Sequence, residues 1–177
     1  FAGMNDRLEN SGLGAMRGVA GDPLAALKLA ARYSDYIARA ERRRPELFEQ
    51  LASGPEAVLA TALADIEAAG AITGPLEVPM RVMRLAKEAA HMAIAAGDLS
   101  GIWKLDDVVE RLTQLADASV RSALRLAIGS GWAAGSFGEV RDSQEMPGLF
   151  VLAMGKMGAR ELNYSSDVDL ILLFDLE

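Results

Sequence analysis

The spacing of apolar residues changes once along this chain, and that change constrains the fold more than any other feature of the sequence. Between Asp22 and about Ile128, apolar residues recur every three or four positions, which is the spacing of one face of an α-helix. After Gly148, the runs LFVLAM and DVDLILLFD are continuously apolar or alternating, as in strands. The sequence therefore predicts an α+β chain that is helical over about four fifths of its length and turns to β-structure at its end.

Proline and glycine divide the helical part into five predicted helices. Asp22 and Pro23 are typical of an N-cap and first turn, so we expect a helix from there to about Arg44. Pro45 ends that helix and begins the short helix PELFEQL, and Pro55 begins a third. Two further helices are predicted on either side of GDLSG. Their apolar faces consist of Val82, Leu85, Ala89 and Met92, and of Leu105, Val108, Leu112 and Leu115.

We predict three regions in the chain: a flexible leader over residues 1–21, a helical domain over 22–147 and the start of a second domain over 148–177. The leader contains SGLGAMRGVAG, which has glycines but neither a preceding strand nor a lysine. We interpret it as a linker, because a phosphate-binding loop needs both of those features.

Composition excludes several classes of function. The 18 basic and 25 acidic residues give a net charge of −7, which disfavours binding to the polyanionic backbone of nucleic acids. Because there is no cysteine, disulfides and thiol chemistry are excluded. No apolar run is long enough to cross a bilayer, and FAGMNDRLEN lacks the features of a secretory signal. We therefore expect a cytoplasmic protein with neither nucleic-acid nor membrane partners.

The residues best suited to chemistry lie between and within the two predicted strands. Because side chains alternate along a strand, Asp167 and Asp169 are expected on the same face, with Cα atoms roughly 6–7 Å apart. Paired carboxylates without histidine or cysteine are a donor set that suits Mg²⁺. A glycine-rich turn upstream would let backbone amides approach a phosphate. The candidate site residues are Gly155, Lys156, Gly158, Ser165, Ser166, Asp167 and Asp169.

A P-loop is the obvious alternative for this glycine turn, but its pattern is absent. That motif requires a hydroxyl residue directly after its lysine, and here Met157 follows Lys156. The glycine that precedes Gly155 is Gly148, which is too far upstream for the motif. The sequence therefore does not predict a P-loop at this turn.

The segment FVLAMGKMGARELNYSSDVDLILLFD resembles the nucleotidyltransferase signature of the glutamine synthetase adenylyltransferase/adenylyl-removing family, within the DNA polymerase β-like superfamily. A weaker resemblance covers YSDYIARAERRRPELFEQL and IAAGDLSGIWKLDDVVERLTQLADASV, which are similar to the helical region before the family's first catalytic domain. The resemblance implies that residues 148–177 contain the first strands of a polymerase β-like domain. It also implies that Asp167 and Asp169 are catalytic Mg²⁺ ligands and that the turn residues bind nucleotide.

The family's enzymes carry two catalytic halves with opposite reactions. One half removes AMP from an adenylylated tyrosine of glutamine synthetase by phosphorolysis and releases ADP, and the other attaches AMP from ATP. Because ELNYSSDVDL resembles the removing half, the resemblance implies adenylyl removal in the control of nitrogen metabolism. The implied partners are glutamine synthetase, the PII signalling protein, ATP or ADP, and phosphate. Two alternatives remain. The chain could belong to the half that attaches AMP, or it could dock glutamine synthetase or PII without catalysis.

The resemblance also implies a third carboxylate from a later strand. Asp175 does not fit that role, because six residues of strand place it about 20 Å from Asp169. We therefore expect the third carboxylate beyond Glu177, and expect the chain by itself to be an inactive fragment of the enzyme.

Two groups of residues outside this segment have simple structural interpretations. The single histidine, His91, lies on a predicted helix far along the sequence from the candidate site, and we expect a packing role for it. A basic cluster near a predicted helix end can interact with the helix dipole or dock an acidic partner surface. It consists of Arg39, Arg42, Arg43 and Arg44.

Overall fold

The computed structural model describes residues 18–135 and 149–174 of the chain. Within these residues there are seven helices and two strands, which confirms the predicted α+β class. Residues 1–17 of the predicted leader and the predicted boundary near residue 148 lie outside the described residues. The elements are α1 (Pro23–Ala30), α2 (Asp35–Arg43), α3 (Pro45–Leu51), α4 (Pro55–Ala69), α5 (Glu77–Leu99), α6 (Leu105–Ala133), β1 (Leu149–Ala153), α7 (Gly155–Gly158) and β2 (Leu170–Phe174).

The described residues form two compact units. The first contains the residues up to Ala60 together with Glu88–Val108. The second contains Thr61–Lys87 and the residues from Val109 onward, so it includes both strands and the candidate site. None of the described helices combines the length and the apolar content that crossing a membrane requires.

Local capping explains where the first helices begin. The side chain of Asp22 accepts a hydrogen bond from the Ala25 N–H at 2.9 Å, so α1 begins at Pro23 as predicted. The prediction of a single helix as far as Arg44 was wrong, because α1 ends at Ala30 and the chain forms a turn over residues 31–33. Ser34 then caps a new helix by accepting a hydrogen bond from the Ile37 N–H at 3.4 Å.

The first unit is held together by small and aliphatic side chains. Helices α1, α2 and α3 contact one another, and their buried apolar residues include Leu27, Ile37 and Leu47. In the same unit, α5 continues through Gly97 to Leu99 rather than ending at the glycine. A Cβ at Gly97 would lie 2.3 Å from the ring of the buried Trp103, so this glycine makes room for the indole.

Helices α5 and α6 confirm the predicted helical segments but not every residue of their predicted apolar faces. Val108, Leu112 and Leu115 are buried along α6, as their spacing indicates. Leu85 and Leu105 are 43% and 74% exposed, so their assignment to the core was wrong. Leu105 is the first residue of α6, and Leu85 lies on an exposed part of α5, where an apolar side chain can remain in contact with solvent.

Strands β1 and β2 form an antiparallel pair in which Leu149 lies opposite Phe174 and Ala153 opposite Leu170. Both strands were predicted from their apolar runs. Although their sequences are strongly apolar, Phe150 of β1 and Phe174 of β2 are 63% and 69% exposed. In the described part of the chain the sheet has these two strands alone, so much of the apolar surface of both stays open.

Candidate functional site

The two acidic residues of the candidate site lie just before β2 rather than within it. Strand β2 begins at Leu170, so the prediction that Asp167 and Asp169 are strand residues was wrong. The backbone N–H of Met154 donates to the Asp169 carbonyl at 2.9 Å, which extends the ladder by one residue. Pairing stops there because β1 ends at Ala153 and the chain turns at Gly155 into α7.

The glycine turn places its backbone beside the Asp169 carboxylate. Gly155 has a φ of 55°, a left-handed conformation that glycine adopts without steric cost. A Cβ at this position would lie 3.6 Å from Oδ2 of Asp169. The structure therefore places the backbone of Gly155 beside the Asp169 carboxylate.

The other glycine of the turn makes a close backbone approach to β1. A Cβ at Gly158 would lie 2.3 Å from the Ala153 carbonyl oxygen, closer than such atoms can approach. The Gly158 N–H donates to the Met154 carbonyl at 3.1 Å, so the turn folds directly back on the end of the strand. Gly158 thus has a steric role in the turn.

A second turn, Asn163–Ser166, leads into the acidic pair. The Asn163 side-chain oxygen accepts from the Ser165 N–H and from the Ser166 hydroxyl, each at 3.0 Å. The Ser166 hydroxyl also accepts from the Asn163 N–H at 3.0 Å. The hydroxyl of Ser166, which is one of the candidate site residues, thus helps to shape the turn in this structure. Asn163 therefore has a structural role in this turn, because its side chain bonds the backbone N–H two residues further on, as in an Asx turn.

The charged residues of the site are open to solvent. Asp167, Asp169 and Lys156 are all exposed, and Asp167 directly follows the Asn163–Ser166 turn. An exposed lysine and two exposed carboxylates can be reached by a phosphorylated substrate. The structure therefore keeps these predicted site residues together in one strand–turn–strand unit, which spans Leu149 to Phe174 and includes α7.

The donor set of this unit fits Mg²⁺. That ion is commonly bound by one or two carboxylates, with water and substrate phosphate oxygens completing its six ligands. Asp167 and Asp169 supply two carboxylates of this kind. Across residues 18–135 and 149–174, no cluster of three acidic or histidine side chains suits a metal ion, and Asp175 lies outside those residues.

An arginine that the sequence analysis missed ties the glycine turn to α6. Nη2 and Nε of Arg160 donate to the two carboxylate oxygens of Glu110, at 2.6 and 3.2 Å. Nη1 lies 3.5 Å from Oδ2 of Asp117. Glu110 and Asp117 are two helical turns apart and so lie on the same face of α6. The spacing of these two acidic residues is the one sign of the contact in the sequence, and it does not identify Arg160 as their partner.

This pairing changes the ionisation of its members. Hydrogen bonds from Arg160, and then from Gln114, lower the pKa of Glu110 below its ordinary value. The Glu110 carboxylate raises the pKa of Arg160. Because the pKa of Glu110 is lower in the folded chain, the contribution of this pairing to folding stability is fully present above the ordinary glutamate pKa. It is lost as the pH falls through the lowered value.

The histidine and the basic cluster make contacts within the first unit. Nδ1 of His91 lies 3.4 Å from the Tyr36 hydroxyl, and the two rings meet edge to face. Burial, followed by the charge of Glu88, raises the pKa of Tyr36. Arg43 donates to the Glu88 carboxylate, and Arg44 lies 3.8 Å from it. Part of the basic cluster therefore forms ion pairs inside the chain.

Comparisons with known proteins point to one family. A family model described as glutamate-ammonia ligase adenylyltransferase matches residues 24–177. The bifunctional glutamine synthetase adenylyltransferase/adenylyl-removing enzyme of Xanthobacter autotrophicus is 42% identical over 143 residues, which are 80% of the chain and 14% of the relative. The protein of the same name from Rhodopseudomonas palustris is 38% identical over 174 residues, which are 93% of the chain and 17% of the relative.

A third relative of the same name, from Caulobacter vibrioides, is 40% identical over 144 residues, which are 80% of the chain and 14% of the relative. The chain thus spans 14 to 17% of the length of these three curated relatives. No solved structure matches the chain significantly.

Proposed function

Because the chain belongs to the glutamate-ammonia ligase adenylyltransferase family, we propose that its strand–turn–strand unit forms part of an adenylyl-removing site. The substrate is glutamine synthetase carrying AMP on a tyrosine, the second substrate is phosphate, and the product is ADP. The observation that supports this most strongly is the Asp169 carboxylate, whose Oδ2 would be 3.6 Å from a Cβ on Gly155. A carboxylate beside a tight glycine turn is suited to a site for phosphate and Mg²⁺.

Each of these residues has its own role in the proposed reaction. Asp167 and Asp169 would hold Mg²⁺, and the bound ion would supply positive charge to the phosphoryl oxygens. The exposed ammonium group of Lys156 attracts the phosphates of the substrate or product. Gly155 lets the phosphates approach the backbone, and the Asn163–Ser166 turn orients Asp167. A phosphate oxygen bonds to the phosphorus of AMP, the bond to the tyrosine oxygen breaks, and that oxygen takes up a proton.

The proposed direction of AMP transfer rests on the amino-acid sequence of one segment. ELNYSSDVDL, which includes the Asn163–Ser166 turn, resembles the removing half of the family's enzymes. The relatives named above are bifunctional by name, so AMP attachment from ATP is the competing function. We further propose that the protein acts in the cytoplasm and that the PII signalling protein regulates it.

A chimera tests the direction on this chain's own residues. In the Xanthobacter chimera, the matched segment of the Xanthobacter autotrophicus relative is replaced by this chain, and the relative's other catalytic half is inactivated by substitution. Incubated with adenylylated glutamine synthetase, phosphate and Mg²⁺, the chimera is expected to release ADP. Incorporation of AMP from ATP into unmodified glutamine synthetase, without ADP release in the first assay, would assign the opposite direction. Absence of both reactions would reject the catalytic function.

A further inference from the structure

Arg160 occupies an unusual position at the end of the glycine turn. It is a non-glycine residue in the left-handed region, with a φ of 58°, a conformation that is unfavourable for a residue with a Cβ. Its N–H donates to the Met157 carbonyl at 3.1 Å, so its backbone is part of the turn. Its side chain reaches Glu110, 50 residues earlier in the chain.

The contacts of this side chain fix an orientation more than they add stability. The side chains of Arg160, Glu110 and Asp117 are 50%, 43% and 37% exposed, and ion pairs this exposed contribute little to folding. However, two nitrogens of one planar guanidinium group bond both oxygens of one carboxylate. This two-point contact restricts the angle between the guanidinium group and the carboxylate as well as the distance between them. The single ammonium group of a lysine would restrict the distance alone.

The backbone transmits that orientation to the acidic pair. Met157 and Leu162, on either side of Arg160, are 5% and 4% exposed, so the segment is held at both ends. The Glu161 N–H donates to the Lys156 carbonyl at 2.7 Å. At its other end, the turn meets Asp169 through Gly155 and through the Met154 N–H. A shift of the turn relative to α6 would therefore shift the backbone beside the Asp169 carboxylate.

We propose that Arg160 is a positioning residue, which holds the glycine turn against the Glu110 and Asp117 face of α6 and so fixes the place of phosphate relative to Asp169. The role in catalysis rests on the function proposed above, whereas the holding of the turn does not. The chemical requirement at this position is a forked cation. The requirement at the α6 positions is a pair of carboxylates two turns apart.

The first test measures the turn itself in the 177-residue chain. Amide hydrogen exchange is compared between the parent chain, Arg160→Lys and Arg121→Lys. Arg121 is a matched control, because it pairs with Glu67 at 3.4 Å in the same unit and is similarly exposed. Arg160→Lys is expected to speed exchange at the Gly158 and Ala159 amides by about tenfold or more, and Arg121→Lys to leave it unchanged. Equal exchange in all three proteins would overturn the proposal.

The second test measures catalysis in the Xanthobacter chimera. Arg160→Lys and Glu110→Gln are each expected to lower kcat by about 10- to 100-fold, the size of effect that a small misplacement produces. They should also raise the Mg²⁺ concentration needed for half-maximal rate, and the double variant should be no slower than the worse single variant. Unchanged kcat and Mg²⁺ dependence in Arg160→Lys would overturn the catalytic role.

The two tests separate the two proposals. If the parent chimera releases no ADP, the proposed adenylyl removal fails, and hydrogen exchange still decides whether Arg160 holds the turn. If ADP is released and exchange is unchanged by Arg160→Lys, the function stands and the positioning role is rejected. An Arg160→Gly variant distinguishes backbone strain from the ion pair, because glycine tolerates the left-handed φ but lacks the fork. We expect it to behave like Arg160→Lys in the exchange measurement.

Discussion

Replacing Asp169 with asparagine in the Xanthobacter chimera is expected to slow ADP formation by about 10²–10³-fold, the usual effect of removing one group that stabilises transition-state charge. The amide keeps the size of the side chain but loses the negative charge that Mg²⁺ requires. Because the substitution is nearly isosteric and Asp169 is exposed, folding should be preserved. The measurement is the initial rate of ADP release at saturating phosphate.

Two further variants define what this result means. Asp167→Asn should cause a loss of similar size, since both carboxylates are expected to hold the same ion. Glu161→Gln is the matched control: it makes the same change of charge on an exposed residue of the same connection and should leave the rate unchanged. Equal rates for Asp169→Asn and Glu161→Gln would show that the acidic pair does not carry the reaction.

Replacing Gly158 with alanine is expected to damage both the fold of the turn and the activity. The new Cβ would lie 2.3 Å from the Ala153 carbonyl oxygen. Neither atom can move away unless the backbone that carries it also moves. Relief requires the turn and the end of β1 to move apart, which weakens the Gly158 hydrogen bond to Met154. Overpacking of this kind costs about 1–3 kcal/mol in the free energy of unfolding.

Urea titration of the chain measures that loss, and the chimera measures its effect on catalysis. We expect ADP formation to fall by about 10²-fold, because the turn moves relative to Asp169. Ala159→Ser, on the neighbouring exposed residue, adds one oxygen and should change neither quantity. A Gly158→Ala protein with parental stability and rate would mean that the turn does not need its close approach to β1.

Local sequence signals predicted most of the secondary structure. Helices begin at Pro23, Pro45 and Pro55 because proline and capping side chains act within a few residues. The two strands and the glycine turn between them followed from equally local patterns. The break before Asp35 was missed, even though Ser34 is a good N-cap, because good helix formers lie on both sides of it.

The parts that the sequence did not predict depend on contacts between distant segments. Asp167 and Asp169 lie outside β2 because strand pairing is limited by the place where β1 ends, which the sequence of β2 does not contain. The bonds from Arg160 to Glu110 join residues that are 50 positions apart. Neither the composition nor the periodicity of the sequence predicts that pairing. The candidate site residues could be proposed from the sequence, whereas the bonds from Arg160 to α6 could not.

The location of the metal is the most direct test of the central claim, that the strand–turn–strand unit carries the chemistry. Mn²⁺ in place of Mg²⁺, added to the isotope-labelled 177-residue chain with ADP, broadens the NMR signals of amides near the bound ion. We predict that Gly155, Asp167 and Asp169 broaden first. The adjacent carboxylates Asp106 and Asp107 in the first turn of α6 provide an internal comparison. Equal or earlier broadening at that pair would contradict the account.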